Sequence, residues 1–285
     1  MNKKPLFLVA LFLIACAAGF SMEWPSASGV MTRNFGWNDG GLPHLGVSFA
    51  DTGVVAAAEA GELLYRRRPG DTASRLPSPL GAWVALDHGD GLISIYSRLD
   101  GNSSFEIPYR LERGTTLGQS GISGWSSQNG FYFQFFDRKE RRWVNPSMII
   151  RTMNPRIPVI AQVNLMDTQG RLFNLAQTAS LAQGRYTVLV NAITGPLSAP
   201  LAPFRIISTL NGSEVGALNF ETYFVRDGTL VVYRNGLIPA RRVHAPVPGY
   251  EVAEVWLTRG QATLEIIAQD ISGTTRNVVH RFTVD

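Results

Sequence analysis

The chain has 285 residues, of which 45% are hydrophobic and 17% charged, and its formal charge is +4. That length can bury two cores of ordinary size, and the apolar fraction excludes a disordered chain. A single cysteine excludes an intramolecular disulfide framework.

Lys3 and Lys4 precede an apolar run from Leu6 to Ile14, the length of a secretory h-region and too short to span a bilayer. The expectation is a signal peptide over residues 1–21 and an exported bacterial envelope protein, which disfavours nucleic acid as a partner. Leu13-Ile14-Ala15-Cys16 also fits a lipoprotein processing box, making Cys16 a candidate lipidation site, with ordinary cleavage near Ser21 as the alternative. No second apolar run reaches spanning length, so the protein is expected to be periplasmic or held to a membrane by lipid alone. The positive charge would suit anionic envelope polymers, yet Arg66-Arg67-Arg68 and Arg141-Arg142 read first as solvated turn charges.

Beyond the leader, short alternating segments recur and no long helical period occurs, so the fold class expected is all-β. Trp83-Val84-Ala85-Leu86-Asp87 and Leu92-Ile93-Ser94-Ile95-Tyr96 read as strands of a hairpin closed by His88-Gly89-Asp90-Gly91, whose glycines suit positive φ. Alternation in Gly130-Phe131-Tyr132-Phe133-Gln134-Phe135 puts Gly130, Tyr132 and Gln134 on one face and the phenylalanines on the other. Prolines and Asn154 between Asn145-Pro146 and Arg156-Ile157-Pro158 predict a domain boundary, giving a first domain over 24–150, a linker over 151–157 and a second domain over 158–285. Strands are predicted at Pro158–Val163, Gly184–Val190, Phe204–Ile207, Leu264–Ala268 and Val278–Val284, a spacing that suggests a β-sandwich. His244 and His280, in this second domain, read as ordinary surface or strand residues.

Three runs carry chemical information: Phe35-Gly36 through His44-Leu45-Gly46-Val47-Ser48, then His88 through Tyr96-Ser97-Arg98-Leu99, then Gly121 through Gln134. In this order they resemble the lysostaphin-like, or LytM-type, zinc endopeptidases that cut peptide cross-bridges of bacterial peptidoglycan. The family pattern is Phe-Gly, His-x-Gly-x-Asp, a glycine-bearing hairpin with Tyr-x-His-Leu, Gly-x-Thr-Gly, and His-x-His-Phe-Glu. The resemblance implies an antiparallel β-sheet peptidase domain, and the second domain resembles immunoglobulin-like modules appended to secreted bacterial enzymes. It also implies that His44 keeps the first zinc-ligand position, while Ser48 stands at the aspartate ligand and Tyr132 at the third ligand. Arg98 and Gly130 stand at two catalytic histidines.

A catalytic zinc normally takes three protein ligands, and losing two of three strong donors should cost several kcal/mol of binding. The expectation is therefore no catalytic residue, no metal site and no cofactor. Asp51 lies three residues beyond Ser48 and would face the other way, and His88 falls at a non-ligand turn position, so neither is expected to rescue a metal. What remains is a groove floor in which His44, Tyr96, Arg98 and Tyr132 are available to a ligand, Arg98 for a carboxylate and the tyrosines for packing. The leading expectation is a pseudoenzyme that acts by binding peptidoglycan or a cell-wall hydrolase. Two alternatives stay open: an active zinc endopeptidase, in which case zinc is the cofactor, and a structural envelope spacer.

Overall fold

The computed structural model describes residues 22–27, 29–50, 53–68, 77–101, 106–151, 156–244 and 249–285. The expectations for the leader, Cys16, Asp51 and Asn154 lie outside the described residues. None of the described helices is long and apolar enough to cross a membrane.

The fold is all-β. In the first unit the principal strands are β1 (Val30–Arg33), β2 (Val47–Ala50), β3 (Gly61–Arg67), β4 (Ala82–Asp87), β5 (Leu92–Leu99), β6 (Phe131–Asp137) and β7 (Arg142–Val144). In the second they are β8 (Pro158–Asp167), β9 (Leu172–Asn174), β10 (Gly184–Thr194), β11 (Arg205–Leu210), β12 (Ser213–Arg226), β13 (Tyr250–Leu257), β14 (Gly260–Gln269) and β15 (Thr275–Val284). Each strand predicted from alternation coincides with one of these. The β4–β5 hairpin closes through Gly89, Asp90 and Gly91 at φ of +85°, +51° and +87°, a left-handed run that glycine enters without steric cost. Arg66 and Arg67, expected in a turn, continue β3, where Arg66 stands opposite Val84 and Arg67 opposite Trp83.

The core of the first unit forms on one face of the sheet. Val84, Leu86, Tyr96, Leu99, Phe131, Phe133 and Phe135 are buried there, with Val47 and Phe49 of β2 packed against them. Burying an aromatic or branched side chain contributes roughly 1.5 to 3 kcal/mol, so this set dominates the local stability.

The second unit is a β-sandwich. One sheet runs β9-β8-β10-β13 and the other includes β15-β14-β11-β12. Val163, Leu165, Val188, Val190, Ile206, Leu218, Val252, Leu264 and Ile266 fill the space between them.

Hydrogen bonds link the parts on either side of the predicted boundary. Strand β7 pairs antiparallel with β12, Arg142 opposite Phe224 and Val144 opposite Thr222, so one hydrogen-bonded sheet runs from the first unit into the second. Phe35, Trp37 and Leu45 of the first unit pack in the core of the second. Asn34 locks this contact: its Nδ2 donates to the Ala202 carbonyl at 2.9 Å and its Oδ1 accepts from the Ala202 N–H at 2.7 Å. Asn145 Nδ2 donates to the Phe220 carbonyl at 2.8 Å. The segment carrying His44 is thus held from behind by the sandwich.

His244 is another departure from the sequence reading. It is fully buried rather than superficial, its Nε2 lies 2.6 Å from the Tyr223 hydroxyl, and its ring meets those of Phe220 and Tyr250.

Candidate functional site

The sheet face opposite the core of the first unit carries the site. Strand pairing opposes Tyr132 to Ser48 on one side and to Ser97 on the other, and directly opposed residues share a face. His44 enters from the segment before β2. Its Nε2 lies 3.0 Å from Ser48 Oγ, and its ring centroid is 4.7 Å from that of Tyr132. The three positions that the sequence resemblance equates with zinc ligands therefore do converge.

Their chemistry differs from that of a zinc site. Burial, followed by the nearby charges of Arg98 and Arg33, pushes the His44 pKa down to about 3, so the imidazole is neutral at physiological pH. The Tyr132 hydroxyl accepts from the Leu45 N–H at 3.1 Å and from Gln134 Nε2 at 2.9 Å. Burial raises the pKa of that phenol far above its ordinary value, so it is no phenolate donor. Ser48 brings a neutral hydroxyl where a carboxylate would be needed. Two guanidinium groups beside one imidazole oppose a dication, and among the described residues no group of three histidine, cysteine or acidic side chains is placed to hold a metal. These residues do not fit a zinc ion.

Arg98 reaches this face by a device that simple alternation does not reveal. The register between β4 and β5 shifts where Ala82 opposes Leu99 but Trp83 opposes Ser97, so Arg98 is the extra residue of a β-bulge. Its φ is +63°, in the left-handed region. The bulge re-aims the side chain, and its guanidinium carbon stands 5.3 Å from the centroid of the Tyr132 ring. The N–H of Arg98 donates to the Leu80 carbonyl at 2.8 Å. The guanidinium is half-buried, its pKa is lowered by burial first, and it forms no ion pair among the described residues. Arg33, in contrast, pairs with Asp39 at 3.1 Å.

Tyr96 is not part of the groove floor. It stands directly opposite Phe133, faces the core and is wholly buried, with its pKa pushed up to about 12 by burial. Period-two spacing from Arg98 suggested a shared face, and the bulge breaks that spacing. The Tyr96 hydroxyl accepts from the Ala58 N–H at 2.9 Å and lies 3.0 Å from Ser94 Oγ, which lies 2.7 Å from His88 Nε2. His88 Nδ1 lies 2.7 Å from the Ala60 carbonyl, which can only accept, so this nitrogen carries the hydrogen. His88 thus closes a buried hydrogen-bond chain and is directed away from the groove.

Gly130, at a position the resemblance equates with a catalytic histidine, is crowded by β2. A Cβ built there would lie 2.2 Å from the Phe49 carbonyl oxygen, so no side chain fits without movement of that strand. Sequence reasoning did not single out Trp125, which is 80% exposed at the rim. Its N–H donates to the Pro79 carbonyl at 3.1 Å, next to the Leu80 carbonyl that holds Arg98. The run Gly124-Trp125 held a signal in principle, since a large aromatic between turn residues has little core to enter.

A protein-family model matches residues 157–285, the second unit. No curated protein matches the chain. Among solved structures, a protein named for the M23 peptidases from Pseudomonas aeruginosa is 19% identical with a TM-score of 0.37, and the match covers 48% of this chain and 53% of that one. The present chain thus spans about half the length of that protein. The SpoIIQ-SpoIIIAH pore forming complex contains a chain that is 19% identical, with 46% of this chain and 90% of that one covered and a TM-score of 0.37. A zinc containing peptidase from Vibrio cholerae is 17% identical, with 47% and 41% covered and a TM-score of 0.37.

Proposed function

We propose that this chain is a non-catalytic, peptidase-like protein of the bacterial envelope that acts by binding, with the groove around Arg98 and Tyr132 as its ligand site. Arg98 carries the proposal. A bulged, left-handed backbone delivers a half-buried guanidinium over the buried Tyr132 ring, and the carboxylate that acts on it, Asp39, is paired with Arg33 rather than with Arg98. Holding a non-glycine residue at positive φ costs about 1 kcal/mol or more, and removing part of its hydration adds to that cost. A carboxylate from a ligand would offset both through paired N–H donors. Peptide carboxylates of the cell wall, or an acidic loop of a cell-wall hydrolase, supply such a group.

The sequence resemblance to LytM-type peptidases supports a wall-related setting, and the donor set at His44, Ser48 and Tyr132 argues against hydrolysis through a zinc-activated water. The leader read from residues 1–21 supports export, with Cys16 as the lipidation candidate.

The test joins two measurements on the purified protein. Pull-down with purified peptidoglycan is expected to show saturable binding that Arg98→Ala weakens about tenfold, while turbidity assays show no cleavage with or without added zinc. Chelator-sensitive cleavage would overturn the reading in favour of an active endopeptidase, and no saturable affinity for wall or hydrolase would leave only a spacer.

A further inference from the structure

At the junction of the two units lies a cavity of about 40 Å³ with walls from both. Asn34 and Asn145 line it from the first unit, Thr194 and Asp270 from the second, and Arg156 from the segment that enters β8. A volume of this size holds roughly three water-sized groups. The two asparagines are spent on the junction itself, Asn34 on Ala202, and Asn145 on the Phe220 carbonyl and the Ser147 N–H. What the wall has left over is charge.

Asp270 is buried and its carboxylate is fixed in place. Oδ1 accepts from the N–H groups of Ser272 and Thr274 at 3.0 and 2.9 Å and from Ser272 Oγ at 2.7 Å, while Oδ2 accepts from the Arg156 backbone N–H at 2.7 Å. Oδ2 thus keeps room for one further donor. The Arg156 side chain does not turn back to that carboxylate. It runs over Gly195, where φ is +81° and a built Cβ would stand 3.4 Å from Nη1, so the glycine leaves the guanidinium its space. Burial lowers the pKa of this half-buried group, Asp270 acts on it only across space, and the two make no ion pair.

A fixed carboxylate and a guanidinium therefore border one small cavity, each with unspent hydrogen-bonding capacity. A lone anion at Arg156 would be repelled by Asp270, and a lone cation at Asp270 would be repelled by Arg156. A small zwitterion satisfies both, since its carboxylate accepts from the guanidinium and its ammonium donates to Oδ2. We infer that the junction cavity binds a small α-amino acid of the size of glycine or alanine, its carboxylate on Arg156 and its ammonium on Asp270. Such an occupant touches both units, so binding tightens their junction. The inference is independent of the groove around Arg98.

The probes are glycine, L-alanine, acetate and methylammonium, titrated calorimetrically into the full chain. Each amino acid is expected to bind at least tenfold tighter than either singly charged ion, and to raise the unfolding temperature as its concentration rises. Arg156→Gln keeps the backbone N–H that holds Asp270, so it should fold as wild type does while binding amino acids at least tenfold more weakly. Should that variant melt early, the ligand series on wild type decides alone. No amino-acid binding, equal affinity for acetate and glycine, or wild-type binding by folded Arg156→Gln overturns the inference.

Discussion

The Nε2 of His44 lies within 3.0 Å of the Ser48 hydroxyl, so the retained imidazole is already satisfied by a neutral neighbour. If the defect is one of donor chemistry rather than of scaffold, restoring donors should restore the ion. The double variant Ser48→Asp/Tyr132→His is expected to retain one zinc per chain through gel filtration, measured by atomic emission, while wild type retains none. Placing a carboxylate at the buried Ser48 position should cost about 1 to 3 kcal/mol without metal, and zinc should recover it. Stoichiometric zinc in wild type would contradict the description of the site.

Arg98 separates binding from stability. Arg98→Gly removes the penalty of a side chain at φ +63° and is expected to leave thermal stability unchanged or raise it by up to about 1 kcal/mol, while abolishing the carboxylate contact. Arg98→Ala keeps the backbone penalty and should lose binding with a change in stability below about 1 kcal/mol. A glycine variant that melts well below wild type would show that the guanidinium supports the fold instead.

The two units should unfold together. Asn34→Ala strands the N–H of the buried Ala202 and leaves its carbonyl only the Thr194 hydroxyl at 3.3 Å, and should cost about 1 to 3 kcal/mol. Because β7 and β12 share one sheet, this loss is expected to lower a single transition seen alike by near-ultraviolet circular dichroism and by tryptophan fluorescence. Two separated transitions would show that the junction couples the halves only weakly.

Acid should destabilise the protein through its buried histidines. His44 and His244 are each held near a pKa of about 3 by burial, against 6.5 for an unperturbed histidine. Between these values the unfolded chain binds more protons than the native one, so stability is lost as pH falls from 6.5 toward 3. From pH 7 to pH 4 each histidine should account for about 3 kcal/mol, since every tenfold rise in proton concentration within that window removes about 1.4 kcal/mol. Chemical denaturation of His44→Gln at both pH values is expected to show a smaller acid loss than wild type; an equal loss would place the acid sensitivity elsewhere.

Alternation was enough to read the β4–β5 hairpin and the core phenylalanines of β6, because local periodicity determines which face each residue takes, whereas His44, Ser48 and Tyr132 were grouped only by the family resemblance. The position of Tyr96 was not legible, since one extra residue in a strand reverses every later face and the bulge at Arg98 has no compositional mark. Burial of His244 and the docking of Phe35 depend on partners far along the chain, Tyr223 and Phe220 among them. The β7–β12 pairing joins residues about eighty positions apart and leaves no trace in either three-residue window. Trp83 was legible as a strand residue, while its contact with Tyr65 required the register of β3.

The carbonyl of Phe49 over Gly130 limits which substitutions this sheet can accept. An aspartate in place of Ser48 or a histidine in place of Tyr132 is one substitution each, but a histidine in place of Gly130 becomes accessible only after the strand carrying Phe49 has retreated. Backbone crowding, rather than a shortage of space for donors, therefore sets which side chains this part of the sheet can ever carry.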